Sequence, residues 1–432
     1  MRVIIVGAGL GGLTLALSLN AAGIDCVVYE TAPELRAVGV GINVLPHAAR
    51  ELTDLGLGPR LAASGVATEA LMYANKFGQE IWREPRGKFA GYNWSQYSIH
   101  RGVLQMLLLE AVVERLGVGA VHAGWTARSV ETGPTGATVF FTDSQGHSHT
   151  VTGDVVVGAD GIHSAIRAQF YPDEGPPKWN QRVLWRGVTE GDAYLGGATM
   201  IMAGHQDEKF VCYPIDPKLQ AEGKALINWI AELRFPETDV WRREDWNRAG
   251  RLEDFLPRFE NWHFGWLDVP AVIRNADRIF EYPLVDRDPV DQWTFGRTTL
   301  MGDAAHPMYP IGSNGASQAI LDARTLALEL ARNVDIDAAL KAYEDARRPA
   351  TNRIVLINRG NGPEAVMQAV HERAPQGFKD VHDVISREEL EETAGQSKRN
   401  AGFDREALNG RETLNAPLRA ATLAARRETP TT

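Results

Sequence analysis

The feature that most constrains this chain is a glycine-rich turn within its first twelve residues. A short β-branched run, Val3 to Val6, leads into Gly7-Ala-Gly-Leu-Gly-Gly12, and an apolar helical pattern follows. Such a strand, turn and helix open a Rossmann-type unit, in which the glycines allow a tight turn, close approach of a diphosphate and close packing of helix on strand. The free N–H groups of the helix N-terminus then face the phosphates. Glycine triplets also serve ordinary turns, so the motif needs support from its surroundings.

That support comes from a second strand pattern, Asp25 to Glu30, which completes a βαβ unit. Glu30 ends this strand near the spacing of roughly 20 residues at which a carboxylate binds the ribose hydroxyls of a dinucleotide. The sequence therefore predicts dinucleotide binding. The motif alone does not choose between NAD and FAD.

Charge and cysteine content exclude several classes of function. The formal charge of -10 and the pI near 5.6 give no electrostatic reason to expect nucleic acid or an anionic membrane as a partner. Two cysteines cannot build a disulfide framework or a cysteine-rich metal site. The sequence shows neither a secretory signal pattern nor an apolar stretch of about 20 residues, so we expect a cytoplasmic protein. We also expect no metal, and a monomer or homodimer.

Two later segments resemble motifs of a known family. Asp154-Val-Val-Val-Gly-Ala-Asp-Gly-Ile-His-Ser-Ala-Ile-Arg167 is similar to the DG motif, and Gly302-Asp-Ala-Ala-His-Pro307 to the GD motif, of the group A flavoprotein hydroxylases related to salicylate and para-hydroxybenzoate hydroxylases. The resemblance covers about residues 2–358. It implies that Asp160 and Arg167 tie the nucleotide region together and that Asp303 accepts a hydrogen bond from a ribityl hydroxyl of FAD. A carboxylate at the carboxyl end of a strand also points into the crevice where α/β sheets hold ligands.

The segment from Pro310 to Gly315 predicts a turn into a helix whose N-terminus would stabilise negative charge on a reduced flavin. Its asparagine precedes the second glycine, whereas the family usually has the glycine first, which leaves the donor set at the flavin open. This order resembles the bacterial phenazine hydroxylase branch, as do three further strings: Tyr97-Ser-Ile-His-Arg-Gly102, Trp185-Arg-Gly-Val-Thr-Glu190 and Tyr282-Pro-Leu-Val-Asp-Arg-Asp-Pro289. By that resemblance Arg101 contacts the FAD phosphates, and Gly41 and Ile42 run beside the isoalloxazine ring.

The motifs and the resemblance together define the expected site. The residues expected to bind FAD are Gly7, Gly9, Leu10, Gly11, Gly12, Glu30, Thr31, Gly41, Ile42, Arg101, Asp160, Arg167, Asp303, Pro310, Gly312, Ser313, Asn314 and Gly315. The residues expected to line a substrate are Trp185, Arg186, Met202, Tyr213, Tyr309 and Pro310. Aromatic walls suit a flat ring, and Arg186 suits either a substrate carboxylate or an interdomain ion pair. His306 and Tyr213 are the side chains considered for catalysis, and a structural role explains His306 equally well.

The predicted fold class is α/β. It combines a Rossmann-like FAD-binding domain of the para-hydroxybenzoate hydroxylase type with an interleaved, mostly antiparallel substrate domain and a C-terminal helical segment. The FAD-binding domain is expected at residues 1–70, 99–179 and 290–360, and the substrate domain at 71–98 and 180–289. Residues 361–432 are expected to form the helical segment and a tail with a mobile end.

The resemblance implies a single-component monooxygenase that hydroxylates an aromatic or heteroaromatic substrate, with a carboxylated, phenazine-like compound suggested. NADH or NADPH would bind transiently and reduce FAD, and O2 would then add to the flavin as a C4a-hydroperoxide. The cofactor therefore carries the difficult chemistry. Baeyer-Villiger oxidation or epoxidation would use the same oxidant, and intact glycine turns also allow a flavin redox protein that does not oxygenate. An NAD-linked dehydrogenase has no need for the DG-like and GD-like segments. A flavin halogenase would carry a Trp-x-Trp-x-Ile-Pro string, which this sequence lacks.

Overall fold

The computed structural model describes residues 1–236, 238, 248–360 and 364–428. Its strands are β1 (Arg2–Val6), β2 (Asp25–Glu30), β3 (Gly41–Val44), β4 (Val66–Ala67), β5 (Ala70–Ala74), β6 (Glu80–Pro85), β7 (Tyr97–His100), β8 (Val121–Ala123), β9 (Trp125–Thr132), β10 (Ala137–Asp143), β11 (Ser148–Gly153), β12 (Val155–Gly158), β13 (Lys178–Asp192), β14 (Thr199–Gly204), β15 (Glu208–Pro214), β16 (Lys224–Arg234), β17 (His263–Phe264), β18 (Leu267–Asp268), β19 (Ile279–Asp286), β20 (Thr294–Phe295) and β21 (Thr298–Leu300).

The α-helices pack around and between these strands. They are α1 (Leu10–Ala21), α2 (Pro46–Asp54), α3 (Gly58–Ser64), α4 (Arg101–Leu116), α5 (Ala165–Phe170), α6 (Pro217–Ala221), α7 (Leu252–Phe259), α8 (Val269–Arg274), α9 (Gly315–Arg332), α10 (Ile336–Arg359), α11 (Ala365–Arg373), α12 (Arg387–Asn400), α13 (Arg405–Gly410) and α14 (Arg419–Glu428).

The first layer is a six-stranded sheet with the strand order β20-β21-β12-β1-β2-β8, in which only the β20–β21 pair is antiparallel. β1 lies between β12 and β2, and its residues Val3 to Val6 are buried. Helix α1 contacts β1 and β2, and also packs on α4 and α9. Coverage by helices explains why the strand reads as a continuous β-branched run. The predicted βαβ opening is confirmed.

The second layer is a seven-stranded sheet with the order β19-β13-β16-β15-β14-β5-β6. Its pairs are antiparallel except for β5 with β14, and this one parallel pair joins the early hairpin β5–β6 to the strands from the middle of the chain. The sheet's two faces bury different cores. The predicted α/β fold with a mostly antiparallel second sheet is confirmed, and the domain limits stay a prediction.

A small antiparallel sheet, β3-β7-β4, connects the layers through the contacts of β7 with β15 and of β3 with α9. The C-terminal helices α11 and α12 pack on one another. Helix α12 also contacts α10, and helix α11 contacts β14. The six-stranded sheet, the seven-stranded sheet and the C-terminal segment therefore surround one cleft. Two tryptophans of the predicted substrate domain, at positions 241 and 246, and the predicted mobile end lie outside the described residues.

Candidate active site

The turn between β1 and α1 accepts only glycine at two positions. Gly7 has a φ of +112°, and a Cβ there would lie 2.3 Å from the carbonyl oxygen of Ala159. A Cβ on Gly12 would lie 2.0 Å from the oxygen of Gly7. A Cβ on Gly9 would meet no atom within 4 Å, so the turn is open on that side. Because α1 has no side-chain cap and no acidic residue in its first turn, its terminal N–H groups suit a diphosphate.

The carboxylate of Glu30 lies beside this turn. It accepts hydrogen bonds from the backbone N–H groups of Ala8 and Ala32, each at 2.8 Å. Gln105 Nε2 donates to the carbonyl oxygen of Ala8, also at 2.8 Å. Sequence reasoning missed Gln105, although it follows Arg101 by one turn of α4 and therefore projects from the same helix face. We add Gln105 to the candidate FAD-binding residues.

The DG-like segment forms a frame for the site. Asp160 accepts a hydrogen bond from the Ser164 hydroxyl at 2.6 Å, and Gly161, with a φ of +77°, turns the chain between them. Arg167 is buried and donates to the carbonyl oxygens of Ala304 and Ala305 at 3.2 and 2.7 Å. Arg167 therefore joins the DG-like segment to the GD-like segment. A contact of either Asp160 or Arg167 with FAD stays a prediction.

Asp303 follows β21 and is accessible to solvent in the cleft. The surrounding protein partly desolvates its carboxyl group and so raises its pKa, while His306 and Arg101 act in the opposite direction. Arg101, the first residue of α4, is thus one of the charges that act on this carboxylate. An accessible carboxylate in a partly desolvated cleft is suited to accept a hydrogen bond from a hydroxyl group of a ligand.

His306 itself is buried and engaged. Its Nε2 lies 2.5 Å from Oδ2 of Asp322, which also accepts hydrogen bonds from Gly302 N at 3.0 Å and, through Oδ1, from Arg347 Nε at 2.7 Å. Burial disfavours the charged form of Asp322, but His306 and Arg347 lower the pKa of Asp322 to about 2. His306 thus holds the GD-like segment on α9 and α10. This geometry favours the structural explanation of His306 over the catalytic one.

The loop before α9 has an unusual backbone and unused polar groups. Gly312 has a φ of +70°, and Ser313, at +56°, takes a left-handed conformation that costs a non-glycine residue about 1 kcal/mol or more. Oδ1 of Asn314 is buried without a hydrogen-bond partner. Helix α9 begins at Gly315 with no side-chain cap and no acidic residue in its first turn. This uncapped terminus suits the negative charge that a reduced flavin carries.

Strand β3 is clamped to the seven-stranded sheet at Gly41. The N–H of Gly41 donates to Asn228 Oδ1 at 2.7 Å, and its carbonyl oxygen accepts from Arg186 Nη2 and from the Tyr213 hydroxyl, both at 2.9 Å. A Cβ on Gly41 would lie 2.7 Å from Asn228 Cβ. Arg186 therefore bridges the layers through a carbonyl oxygen rather than through the interdomain ion pair considered from sequence. No motif indicated Asn228.

The hydrogen bond from Tyr213 to Gly41 helps to decide between a catalytic and a positioning role for Tyr213. Burial raises the pKa of Tyr213 to about 12, although the neighbouring Arg186 lowers it. At neutral pH the hydroxyl is thus protonated and donates to Gly41. These observations favour a positioning role over general acid-base chemistry for Tyr213.

The predicted substrate residues lie on different faces of the seven-stranded sheet. Met202, Tyr213 and Tyr309 belong to the core on the cleft side. Trp185 is only 1% exposed, belongs to the opposite core and stacks on Phe255 at 4.8 Å between ring centroids. Because side chains alternate along a strand, Trp185 points away from the face that carries Arg186. Its prediction as a substrate-lining residue is wrong.

A cavity lies between the loop Gly312 to Asn314 and the cleft side of the seven-stranded sheet. Leu45, Leu71, Tyr73, Met200, Met202 and Phe403 are among the apolar and aromatic residues that line it. Sequence reasoning identified Met202 and the loop but missed Tyr73 and Met200. The aromatic composition of the stretch after Ala70 was the available signal for Tyr73, and no comparable signal marks Met200.

Comparison with known proteins decides what this arrangement binds. A family model described as "FAD binding domain" matches residues 1–190 and 282–357. The chain belongs to the FAD binding domain family. The matched residues carry the glycine turn, the DG-like and GD-like segments and the loop before α9. The cofactor is therefore FAD, and the open turn, the accessible Asp303 and the uncapped helix termini fit it.

Curated relatives place the chain within this family. It is 48% identical over 361 residues, which are 83% of this chain and 89% of the relative, to a phenazine 1,6-dicarboxylic acid hydroxylase of Lysobacter antibioticus. It is 34% identical over 370 residues, 84% of this chain and 88% of the relative, to a 3-amino-4-hydroxybenzoate 2-monooxygenase of Streptomyces platensis. The chain is an FAD-dependent aromatic monooxygenase of the group A hydroxylases and uses NAD(P)H. The relatives do not favour Baeyer-Villiger oxidation, epoxidation or a non-oxygenating redox protein.

Solved structures share the fold. The HpxO protein of Klebsiella pneumoniae, complexed with FAD and uric acid, aligns with a TM-score of 0.72 at 23% identity, over 95% of this chain and 97% of that protein. A salicylate hydroxylase substrate complex aligns with a TM-score of 0.69 at 20% identity, over 94% and 98% of the two chains. These likenesses confirm the para-hydroxybenzoate hydroxylase type of architecture.

Two further observations concern the described part of the chain alone. No helix there combines the length and the apolar composition needed to span a bilayer. No group of three or more His, Cys, Asp or Glu side chains within those residues is arranged to hold a metal ion.

Proposed function

We propose that this monooxygenase hydroxylates a flat, carboxylated heteroaromatic compound of the phenazine type. The observation that carries the proposal is the cavity, which joins the loop Gly312 to Asn314 to an apolar and aromatic wall and also contains the cations Arg86 and Lys398. Apolar walls with a few convergent polar groups are typical of small-molecule sites. The 48% identical relative, which is named for a phenazine dicarboxylic acid, supports the same substrate class.

The chain's residues would hold FAD at three places along the cleft. The glycine turn and the N-terminus of α1, with Arg101 and Gln105 nearby, would bind the diphosphate, and Glu30 the adenosine ribose. Asp303 would accept a hydrogen bond from the ribityl chain. Gly41 with Ile42 and the loop before α9 would flank the flavin ring.

Bound FAD supplies the redox chemistry, namely acceptance of a hydride from NAD(P)H and activation of O2 for transfer of one oxygen atom to the ring. The protein's part is to orient the ring and to exclude water. The contact of Asn228, Arg186 and Tyr213 with Gly41 fixes the distance between β3 and the substrate sheet. Met202 and Tyr73 present a wall on which a flat ring would pack.

Three finer points belong to this proposal. NADH or NADPH would bind transiently, because the sequence carries one dinucleotide fingerprint and it is assigned to FAD. The limits given above for the FAD-binding domain, the substrate domain and the C-terminal segment are proposed as they stand. A cytoplasmic monomer or homodimer is proposed as well.

The test is a substrate panel with the purified FAD-loaded enzyme. We expect phenazine carboxylic acids to stimulate NADH or NADPH oxidation more than salicylate or 3-hydroxybenzoate, and the product to carry one added oxygen atom by mass spectrometry. Oxygen uptake and hydrogen peroxide, measured in parallel, report how much reductant is coupled to hydroxylation. Preference for a monocyclic acid, or peroxide as the sole product with every phenazine, would overturn the proposal.

A further inference from the structure

Four polar atoms on the wall of the cavity are buried without a hydrogen-bond partner. They are Tyr73 Oη, Arg86 Nε, Gln96 Oε1 and Asn314 Oδ1. The whole residues Tyr73, Gln96 and Asn314 are at most 5% exposed. An unpaired buried polar group destabilises the folded protein, and such groups are rare in native proteins. Four of them on one cavity indicate that a polar ligand completes the site.

The charges of the cavity do not balance. Glu84 lies 2.6 Å from Nη2 of Arg86 and 2.7 Å from Nζ of Lys398, so two cations share one carboxylate. Burial raises the pKa of Glu84, but Arg86 and Lys398 outweigh it and lower the pKa below its ordinary value. Glu84 is therefore ionised at neutral pH, and this group of three carries one excess positive charge. One anionic group from a ligand would neutralise it.

Tyr73 lies next to this group. Its hydroxyl interacts electrostatically with Arg86 but makes no hydrogen bond of normal geometry with it. Burial raises the pKa of Tyr73, so the hydroxyl keeps its proton and remains a donor. The other nearby carboxylate, Glu364, is already paired with Lys209. Arg86 Nε and Tyr73 Oη are thus two donors without an acceptor beside an excess positive charge.

The C-terminal segment supplies one wall of this group. Lys398 lies near the end of α12, and Ala401 and Phe403 follow it along the cavity. The carbonyl oxygen of Phe403 accepts from the Tyr92 hydroxyl at 2.7 Å, and that of Ala401 accepts from Gln318 Nε2 at 3.2 Å. The segment is therefore anchored both to the substrate side and to helix α9. The FAD binding domain match ends at residue 357, before this wall begins.

We propose that Arg86, Tyr73 and Lys398 form an anion subsite that binds a carboxylate of the aromatic substrate and so selects acids over neutral rings. Two carboxylate oxygens match the two unused donors, and the bound charge makes the group neutral. Lys398 acts chiefly through charge, because its ammonium group already contacts Glu84. This inference rests on the proposed function, since it assigns a binding site to the carboxylate of that substrate.

The experiment measures binding to the FAD-loaded enzyme from the change in flavin absorption, without NAD(P)H. The probes are phenazine-1,6-dicarboxylic acid and its diamide, which has the same ring system and no charge. Arg86→Gln and Lys398→Met are expected to weaken binding of the diacid about 10- to 100-fold and of the diamide less than about twofold. Glu84→Gln, which removes the competing carboxylate, is expected to tighten binding of the diacid.

Matched controls are Arg83→Gln and Arg399→Met, which change exposed cations on β6 and α12. Both should bind the diacid as the wild type does. FAD content and the midpoint of thermal unfolding identify a variant that has lost its fold. If Arg86→Gln does not fold, Lys398→Met, at a less buried position, tests the subsite in its place. Lys398→Arg, which keeps the positive charge that Lys398→Met removes, should retain most of the wild-type affinity for the diacid.

Unchanged affinity of the folded Arg86→Gln and Lys398→Met variants for the diacid, or equal losses for diacid and diamide, would overturn the subsite. Static binding also separates this inference from the proposed function. A wild-type enzyme that hydroxylates phenazine acids while its variants ignore the carboxylate refutes the subsite alone. An enzyme that binds the diacid through Arg86 but never hydroxylates it refutes the proposed function alone.

Discussion

The nucleotide end and the substrate end of the cleft are built in opposite ways. At the nucleotide end, consecutive backbone groups of one turn and one helix form the binding surface, and Gly7 and Gly12 are there because a Cβ has no room. At the substrate end, side chains from β6, β14, the loop before α9 and the C-terminal segment meet in one cavity. Cofactor binding is therefore local in sequence, whereas substrate recognition depends on how distant segments pack.

The largest effect is expected at the nucleotide end. Gly12→Ala would place a Cβ 2.0 Å from a backbone oxygen, which cannot be relieved by a side-chain rotation. We expect a loss of roughly 3 kcal/mol in the free energy of unfolding and a nearly colourless protein without bound FAD. Flavin absorbance after purification measures it. Gly119→Ala, where a Cβ meets no atom within 4 Å, is the control and should stay yellow. A yellow Gly12→Ala protein would show that the turn tolerates a side chain and that FAD binding does not depend on this glycine.

An effect on stability alone, with FAD still bound, is expected at Asp322 on α9. Asp322→Asn leaves His306 and Arg347 without their carboxylate, and breaking such a buried pair costs about 3 to 5 kcal/mol. The pKa of Asp322 is lowered in the folded protein to about 2, so its stabilisation is complete above about pH 4 and is lost as the pH falls toward 2. Urea unfolding of both proteins across this range should therefore show a difference that shrinks in acid.

The exposed pair of Asp345 with Lys341 provides the control for this result. Asp345→Asn should change the free energy of unfolding by less than about 1 kcal/mol at every pH, because solvent screens the pair. A similarly small effect of Asp322→Asn would show that His306 does not depend on this carboxylate, and the structural role assigned to it would be wrong.

The smallest effect on ligand binding is expected from Trp185, and it sharpens the view of the substrate end. Trp185→Phe changes the core behind the sheet, so the thermal midpoint should fall while the dissociation constant of an aromatic acid stays within about twofold. Met202→Ala, on the cavity side, should raise that constant about tenfold. Titrations of the FAD-loaded variants compare the two. A larger loss of affinity with Trp185→Phe would contradict the assignment of faces.

The residues that were predicted and those that were missed follow the same division. Gly7, Gly12 and Glu30 could be predicted because their roles depend on neighbours within one βαβ unit. Trp185 was predicted from its aromatic character, which does not reveal which face of the sheet it occupies. Arg186 and Tyr213 were predicted near the site, but their hydrogen bonds to Gly41 depend on the approach of β3 to another sheet.

The sequence by itself indicated the α/β fold through glycines at fixed spacing in one βαβ unit, and the resemblance of its DG-like and GD-like segments to a known family indicated the family and the cofactor. Only the tertiary structure decided the residues of the substrate end. Arg86 and Lys398 are separated by most of the chain and carry no motif, and they meet at Glu84 because the fold brings the end of α12 to the edge strand β6. Such a cluster is specified by packing in three dimensions, which no local pattern in the sequence records.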